Sequence, residues 1–184
     1  MRPRLGFAVG TAVLLEAASL AAQSAAGPKS DRDVRWSFSA GYGFSVKLNR
    51  GRSEEQVLLF APAVAFPLGD RFEYVVEGHF ATYLTPAGWM VGVSPLGGRY
   101  TFGNGRVRPY VSLGAGFGWT DLTELDEIDR RFNFLLQGSV GVRGRVREGA
   151  WSFEGRFAHM SNAGTVLPNL GLNSLVFLGG WTFR

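Results

Sequence analysis

From Trp36 to Lys47 apolar and polar residues alternate without a break. Trp36, Phe38, Ala40, Tyr42, Phe44 and Val46 fall on one face, and Ser37, Ser39, Gly41, Gly43, Ser45 and Lys47 on the other. Successive side chains of an extended chain point to opposite sides, so this period of two predicts a strand with one apolar and one polar surface. The pattern returns in Phe72 to Tyr83, where Phe72, Tyr74, Val76 and Phe80 oppose Glu73, Glu77 and His79. It returns again in Val107 to Trp119, with Val111, Leu113, Phe117 and Trp119 against Arg108, Ser112 and glycines, and in Phe132 to Arg145, with Phe132, Phe134, Leu136, Val140 and Val142 against Asn133, Gln137, Ser139, Arg143 and Arg145. Gln56 to Phe66 and Met90 to Phe102 are more weakly patterned, and Trp151 to Met160 and Leu172 to Phe183 complete eight expected strands.

Strands whose second face is charged or glycine-rich fit poorly into a soluble sandwich. In a small membrane barrel the apolar face meets lipid and the polar face fills a narrow lumen, which is the arrangement this pattern predicts. After the first segment no apolar run approaches the length of a spanning helix, so membrane insertion requires a closed barrel in which strands satisfy one another's backbone groups. Connector lengths make the same case. The expected turns Pro67 to Arg71, Gly103 to Arg106 and Arg147 to Ala150 are short, whereas Leu48 to Glu55, Leu84 to Trp89, Thr120 to Arg131 and Ser161 to Gly171 are longer. Short periplasmic turns alternating with longer external loops characterise outer-membrane barrels. The expected fold class is therefore all-β: an eight-stranded antiparallel transmembrane β-barrel.

The first residues are of a different kind. Arg2 and Arg4 precede an apolar run from Leu5 to about Leu20, and small residues follow at Ala21, Ala22, Ser24, Ala25 and Ala26. This layout predicts a secretory signal peptide over residues 1–24, cleaved somewhere between 21 and 26, with the barrel domain in 25–184. There is no cysteine, which removes disulfides, thiolate metal sites and cysteine nucleophiles from consideration. The formal charge of +4 is modest and unclustered, so nothing points to nucleic acid. In the segment Thr120 to Arg131, Asp121, Glu124, Asp126, Glu127 and Asp129 read as a solvated external loop, with a divalent-cation site as the alternative. Gly179, Trp181 and Phe183 give the last strand an aromatic outward face that stops one residue before Arg184. It resembles the terminal signal read by the barrel-assembly machinery, which is thereby an expected partner.

Two histidines are present. His79 lies on the expected lumen face beside Glu73 and Glu77, where a hydrogen-bonded polar plug is the expected role. With Arg143 and Arg145, these carboxylates suggest an interlocked plug rather than a channel lining. His159 instead shares the apolar face of its strand with Trp151, Phe153 and Phe157, and Ser161 follows two residues later on that same face. Two readings stand open at this point. The histidine could act as general base toward the serine hydroxyl, or the pair could sit in the polar belt where a barrel leaves the bilayer.

The segment His159-Met160-Ser161-Asn162-Ala163-Gly164, followed by Pro168-Asn169-Leu170-Gly171-Leu172-Asn173, resembles the C-terminal signature of PagL-type lipid A 3-O-deacylases. These are outer-membrane acyl hydrolases that trim lipopolysaccharide. The resemblance implies a serine esterase acting in the outer leaflet, with lipid A, lipopolysaccharide and membrane lipid as partners and neither cofactor nor metal. Ser161 would be the nucleophile, His159 its base, and Asn162 and the Gly164 N–H the oxyanion donors. The family pattern places a glutamate where this chain has Asn173, an amide that can orient the histidine but cannot compensate the charge of an imidazolium. Glu154, the nearest carboxylate in sequence, is sent to the lumen by its parity. The competing expectations are a structural or adhesive barrel without catalysis and a small pore. Oligomeric state is open, a dimer included.

Overall fold

The computed structural model describes residues 34–46, 54–125, 128, 130–165, 167 and 170–183. The expected signal peptide, Lys47, Asp126, Glu127, Asp129, Pro168, Asn169 and Arg184 lie outside the described residues. Eight strands run β1 Arg35–Ser45, β2 Gln56–Pro67, β3 Phe72–Thr85, β4 Ala87–Thr101, β5 Val107–Thr120, β6 Phe132–Val146, β7 Gly149–Ser161 and β8 Leu172–Phe183. Each pairs antiparallel with its neighbour, and β1 closes on β8 through pairs such as Ala40↔Gly179 and Tyr42↔Phe177. Closure leaves no strand edge unpaired, which a sheet in hydrocarbon requires.

The alternation in sequence becomes the two surfaces of the wall. Outward stand Phe38, Phe60, Phe80, Leu113, Val140 and Phe153, with Leu113 73% exposed. A soluble protein would not leave so extended an apolar belt in water, whereas in a bilayer it is the surface that meets lipid. Neighbouring strands set aromatic rings side by side around this belt: Phe38 and Phe60, and Phe60 and Phe80, each have centroids 6.3 Å apart.

The lumen has two parts. At the long-loop end it is apolar, filled by Val57, Leu59, Tyr83, Met90, Leu135 and Met160 among others. The other part is ionic. Arg156 divides its guanidinium between Glu77, at 2.7 and 3.0 Å, and Glu154, at 2.6 Å. Gln137 and Tyr110 add bonds of 2.8 and 2.6 Å to Glu77 and Glu154. His79 bonds Ser94 Oγ at 2.9 Å. Glu73 binds Arg143 and Arg35, each at 2.8 Å. The plug expected of Glu73, Glu77, His79 and Arg143 is thus present, whereas Arg145 is exposed near the short-turn end of β6.

Two connectors differ from expectation. The segment 84–89 is not a loop: β3 continues to Thr85 and β4 begins at Ala87, with only Pro86 between them. Pro-Ala-Gly reads as a loop composition, but Leu84 pairs with Ala87, and the start of β4 is held from the next connector, Trp89 N–H donating to Asp121 Oδ1 at 2.7 Å and Thr120 Oγ1 to Trp89 O at 2.7 Å. The alternation of short and long connectors therefore fails at this one place. The acidic segment after β5 is also not simply solvated. Leu122 and Ile128 fold inward to join the apolar core, Ile128 at 0% exposure, because the mouth of the barrel offers apolar side chains a dry site that the acidic residues cannot use.

Removing Arg156 strands two carboxylates in the lumen. The variant Arg156→Met is expected to lose about 3–5 kcal/mol of stability, read as a lower urea midpoint for the folded band in heat-modifiability gels. An unchanged midpoint would show that the plug contributes nothing to stability.

Candidate functional site

The residues singled out in sequence converge at the long-loop end of β7 and β8. Outward positions on β7 are odd-numbered, which puts Phe157, His159 and Ser161 on the lipid side, and the register sets His159 directly opposite Asn173 of β8 and Leu136 of β6. His159 Nδ1 and Asn173 Oδ1 are 2.8 Å apart. A carbonyl oxygen only accepts, so the pair places the imidazole proton on Nδ1 and leaves Nε2 with its lone pair. Ser161 is the last residue of β7 and lies opposite Phe134.

Backbone geometry beyond β7 is tightly specified. Ala163 and Gly164 both have positive φ, 55° and 75°, and Thr165 N–H donates to Asn162 O at 3.2 Å. Two left-handed central residues closed by this bond form a turn of the type I′ kind, unusual for alanine, which lacks glycine's freedom there. Asn162 is 1% exposed. Its Oδ1 accepts from Gly164 N–H at 2.9 Å. The Gly164 N–H is therefore engaged in holding the Asn162 amide, and the two are not parallel donors as the family pattern leads one to expect. Glu154 is in the lumen with Arg156 and Tyr110, so Asn173, not a carboxylate, is the polar partner of His159 Nδ1.

Gly171 was part of the quoted motif without a role, and the structure supplies one. Its φ is +70°, and a Cβ built there would lie 2.5 Å from His159 Cε1 and 3.2 Å from Nε2. Only glycine lets the chain entering β8 cross this closely over the imidazole. The sequence signal that could have found it is the single glycine two residues before Asn173, at the point where a loop must turn back into a strand. Among the described residues no group of three or more His, Asp or Glu is placed to hold a metal ion.

The arrangement brings a base with its Nδ1 held and a hydroxyl to one face of β7, groups of the kind that carry nucleophilic acyl transfer, while no hydrogen bond joins His159 to Ser161 and the Asn162 amide nitrogen is buried. Around it the wall is apolar: Leu136 of β6 lies opposite His159, and Phe157 lies opposite Leu175 of β8.

Known proteins share this barrel fold. The crystal structure of the outer membrane enzyme PagL superposes with a TM-score of 0.65 at 15% identity, over 80% of this chain and 99% of that one. Neisserial surface protein A superposes with a TM-score of 0.59 at 12% identity, over 82% of this chain and 96% of its own. At such identities both speak for the fold alone. No curated protein matches the sequence. The model of the lipid A 3-O-deacylase (PagL) family, in contrast, matches residues 33–182, nearly the whole barrel. The chain belongs to the PagL family of lipid A 3-O-deacylases and is an outer-membrane protein.

Proposed function

We propose that this protein is a serine esterase that removes the acyl chain ester-linked at position 3 of lipid A, working from within the outer leaflet. Family membership carries the coarse part, deacylation of lipid A by an ester hydrolase. The finer part rests on one observation: the 2.8 Å bond between His159 Nδ1 and Asn173 Oδ1 on the lipid-facing wall, next to Ser161 on the same strand face.

In this reading His159 Nε2 takes the Ser161 proton as Oγ attacks the ester carbonyl. The carbonyl oxygen becomes an oxyanion, and a hydrogen bond from the Asn162 amide stabilises it, a contribution of about 2.7–4 kcal/mol where such donors have been removed elsewhere. Gly164 contributes by fixing that amide, and its own N–H becomes a second donor only if the bond to Asn162 Oδ1 is exchanged for the oxyanion. The imidazolium then returns the proton to the departing lipid A hydroxyl, leaving an acyl-serine. Water, deprotonated by the same nitrogen, hydrolyses the acyl-serine to free fatty acid. Asn173 holds the ring and its tautomer throughout without compensating the charge, so the imidazolium is less stabilised than beside a carboxylate. We propose further that folding uses the barrel-assembly machinery through the Trp181 and Phe183 face, after removal of a signal peptide.

Three measurements test this. In cells expressing the wild type, lipid A mass spectra should lose one hydroxyacyl chain, and cells expressing His159→Ala or Ser161→Ala should not; three identical spectra would remove the esterase reading and leave a non-catalytic barrel. Asn173→Ala should lower kcat by about ten- to a hundredfold with the folded band intact, whereas Asn173→Asp should retain or raise it. Gly171→Ala should lower kcat by about tenfold or more with little change in KM, since the added methyl displaces the base rather than the substrate.

A further inference from the structure

The ionic part of the lumen is unevenly charged. Towards the middle of the barrel two carboxylates, Glu77 and Glu154, share one guanidinium, Arg156. At the short-turn end, which faces the periplasm in an outer-membrane barrel, the balance reverses. Among the described residues Arg35, Arg99 and Arg143, from β1, β4 and β6, surround one carboxylate, Glu73, and Arg108 of β5 lies across the ladder from Arg143. Its two oxygens are already taken, Oε1 by Arg35 and Oε2 by Arg143 at 2.8 Å each, with Arg99 at 3.6 Å from Oε2. The other carboxylates among the described residues at this end, Asp70 and Glu148, stand on exposed turns, and neither pairs with Arg108.

Arg108 is the residue left over. It is 8% exposed, and β5–β6 pairing sets it directly opposite Arg143. Arg35, Arg143 and Arg145 add like charge around it, against the single opposing charge of Glu73. Its Nε–H is buried and donates to no acceptor, and the Nε–H of Arg99 is in the same position, with the guanidinium of Arg99 lying 5.1 Å above the Tyr110 ring. Arginine cannot relieve such repulsion by losing a proton. Like charges directly opposite on paired strands oppose folding, and a buried donor without an acceptor adds to that cost.

We propose that this arginine ring is an oxyanion site open to the periplasm, and that its ligand is a phosphate group. A phosphate dianion offsets most of the charge surplus, and guanidinium forks match its oxygens in paired hydrogen bonds. Donors arriving from four strands around the lumen suit a tetrahedral ligand better than a planar carboxylate. The phosphate comes either from a soluble periplasmic species or from the headgroup of an inner-leaflet phospholipid at the rim.

The test uses the intact barrel. In maltoside micelles, the urea midpoint and calorimetric binding are measured with sodium phosphate or pyrophosphate against sodium chloride at equal ionic strength, which removes general screening from the comparison. The same midpoint is measured in phosphatidylcholine vesicles with and without phosphatidylglycerol. The wild type should gain stability saturably with phosphate and pyrophosphate. Arg108→Gln should bind about tenfold or more weakly and, in chloride alone, should unfold at a higher midpoint than the wild type because the repulsion is gone. Arg108→Lys, which keeps the charge and loses the fork, should fall between them, and Arg71→Gln on the exposed neighbouring turn should behave as wild type. A gain that appears only with phosphatidylglycerol and disappears in Arg108→Gln assigns the phosphate to lipid. The proposal is overturned if neither source stabilises the protein, if Arg108→Gln gains as much as the wild type, or if that variant is less stable than wild type in chloride. Lipid A deacylation is not part of these readouts, so the outcome is independent of the esterase reading.

Discussion

Hydrocarbon offers a peptide group no hydrogen bond, so every strand of this protein has to find its partners in another strand, and the pairing of β1 with β8 completes the set. Once the sheet is closed, each residue can face only lipid or lumen. Parity then sends Glu77 inward on β3, and on β7 it sends Glu154 and Arg156 inward and His159 and Ser161 outward. The same closure fixes register. His159 meets Asn173 because β7 and β8 pair without a bulge from Gly149↔Phe183 to Met160↔Leu172, and a slip of one residue would send Asn173 to the other face. The candidate site is thus a consequence of the wall rather than a pocket added to it.

Filling the lumen is the second demand, and the chain meets it with different materials at the two ends. Apolar side chains, with Leu122 and Ile128 from the segment after β5, close the outer mouth. Arginines and glutamates close the rest, through bonds that join strands far apart in sequence, such as Arg156 to Glu77 and Arg143 to Glu73. No continuous water path is needed for a substrate that arrives through the membrane, so a filled lumen is compatible with chemistry on the outside.

Most of the wall was legible because its period of two is a local property. Leu172 to Phe183 coincides with β8, and Phe132 to Arg145 falls one residue short of β6. Connectors were harder, because their conformation depends on contacts made elsewhere. Pro86-Ala87-Gly88 has the composition of a loop, yet Asp121 and Thr120 bond to Trp89 and make it a tight hairpin. Leu122 and Ile128 were hidden by the acidic residues around them. At the site, the facing of His159 and Ser161 could be read from parity, and Asn173 entered through the resemblance of its segment to the family pattern. The close crossing of Gly171 over the imidazole and the bond from Gly164 to Asn162 could not, since both depend on the path of a chain between strands.

Pro86 alone joins β3 to β4, and Leu84 pairs with Ala87 across it. The hairpin runs past the end of β5, where Met90 pairs with Thr120, and Trp89 N–H is taken by Asp121. Almost no backbone there is left for a protease to draw into its cleft, so this part of the wall resists nicking.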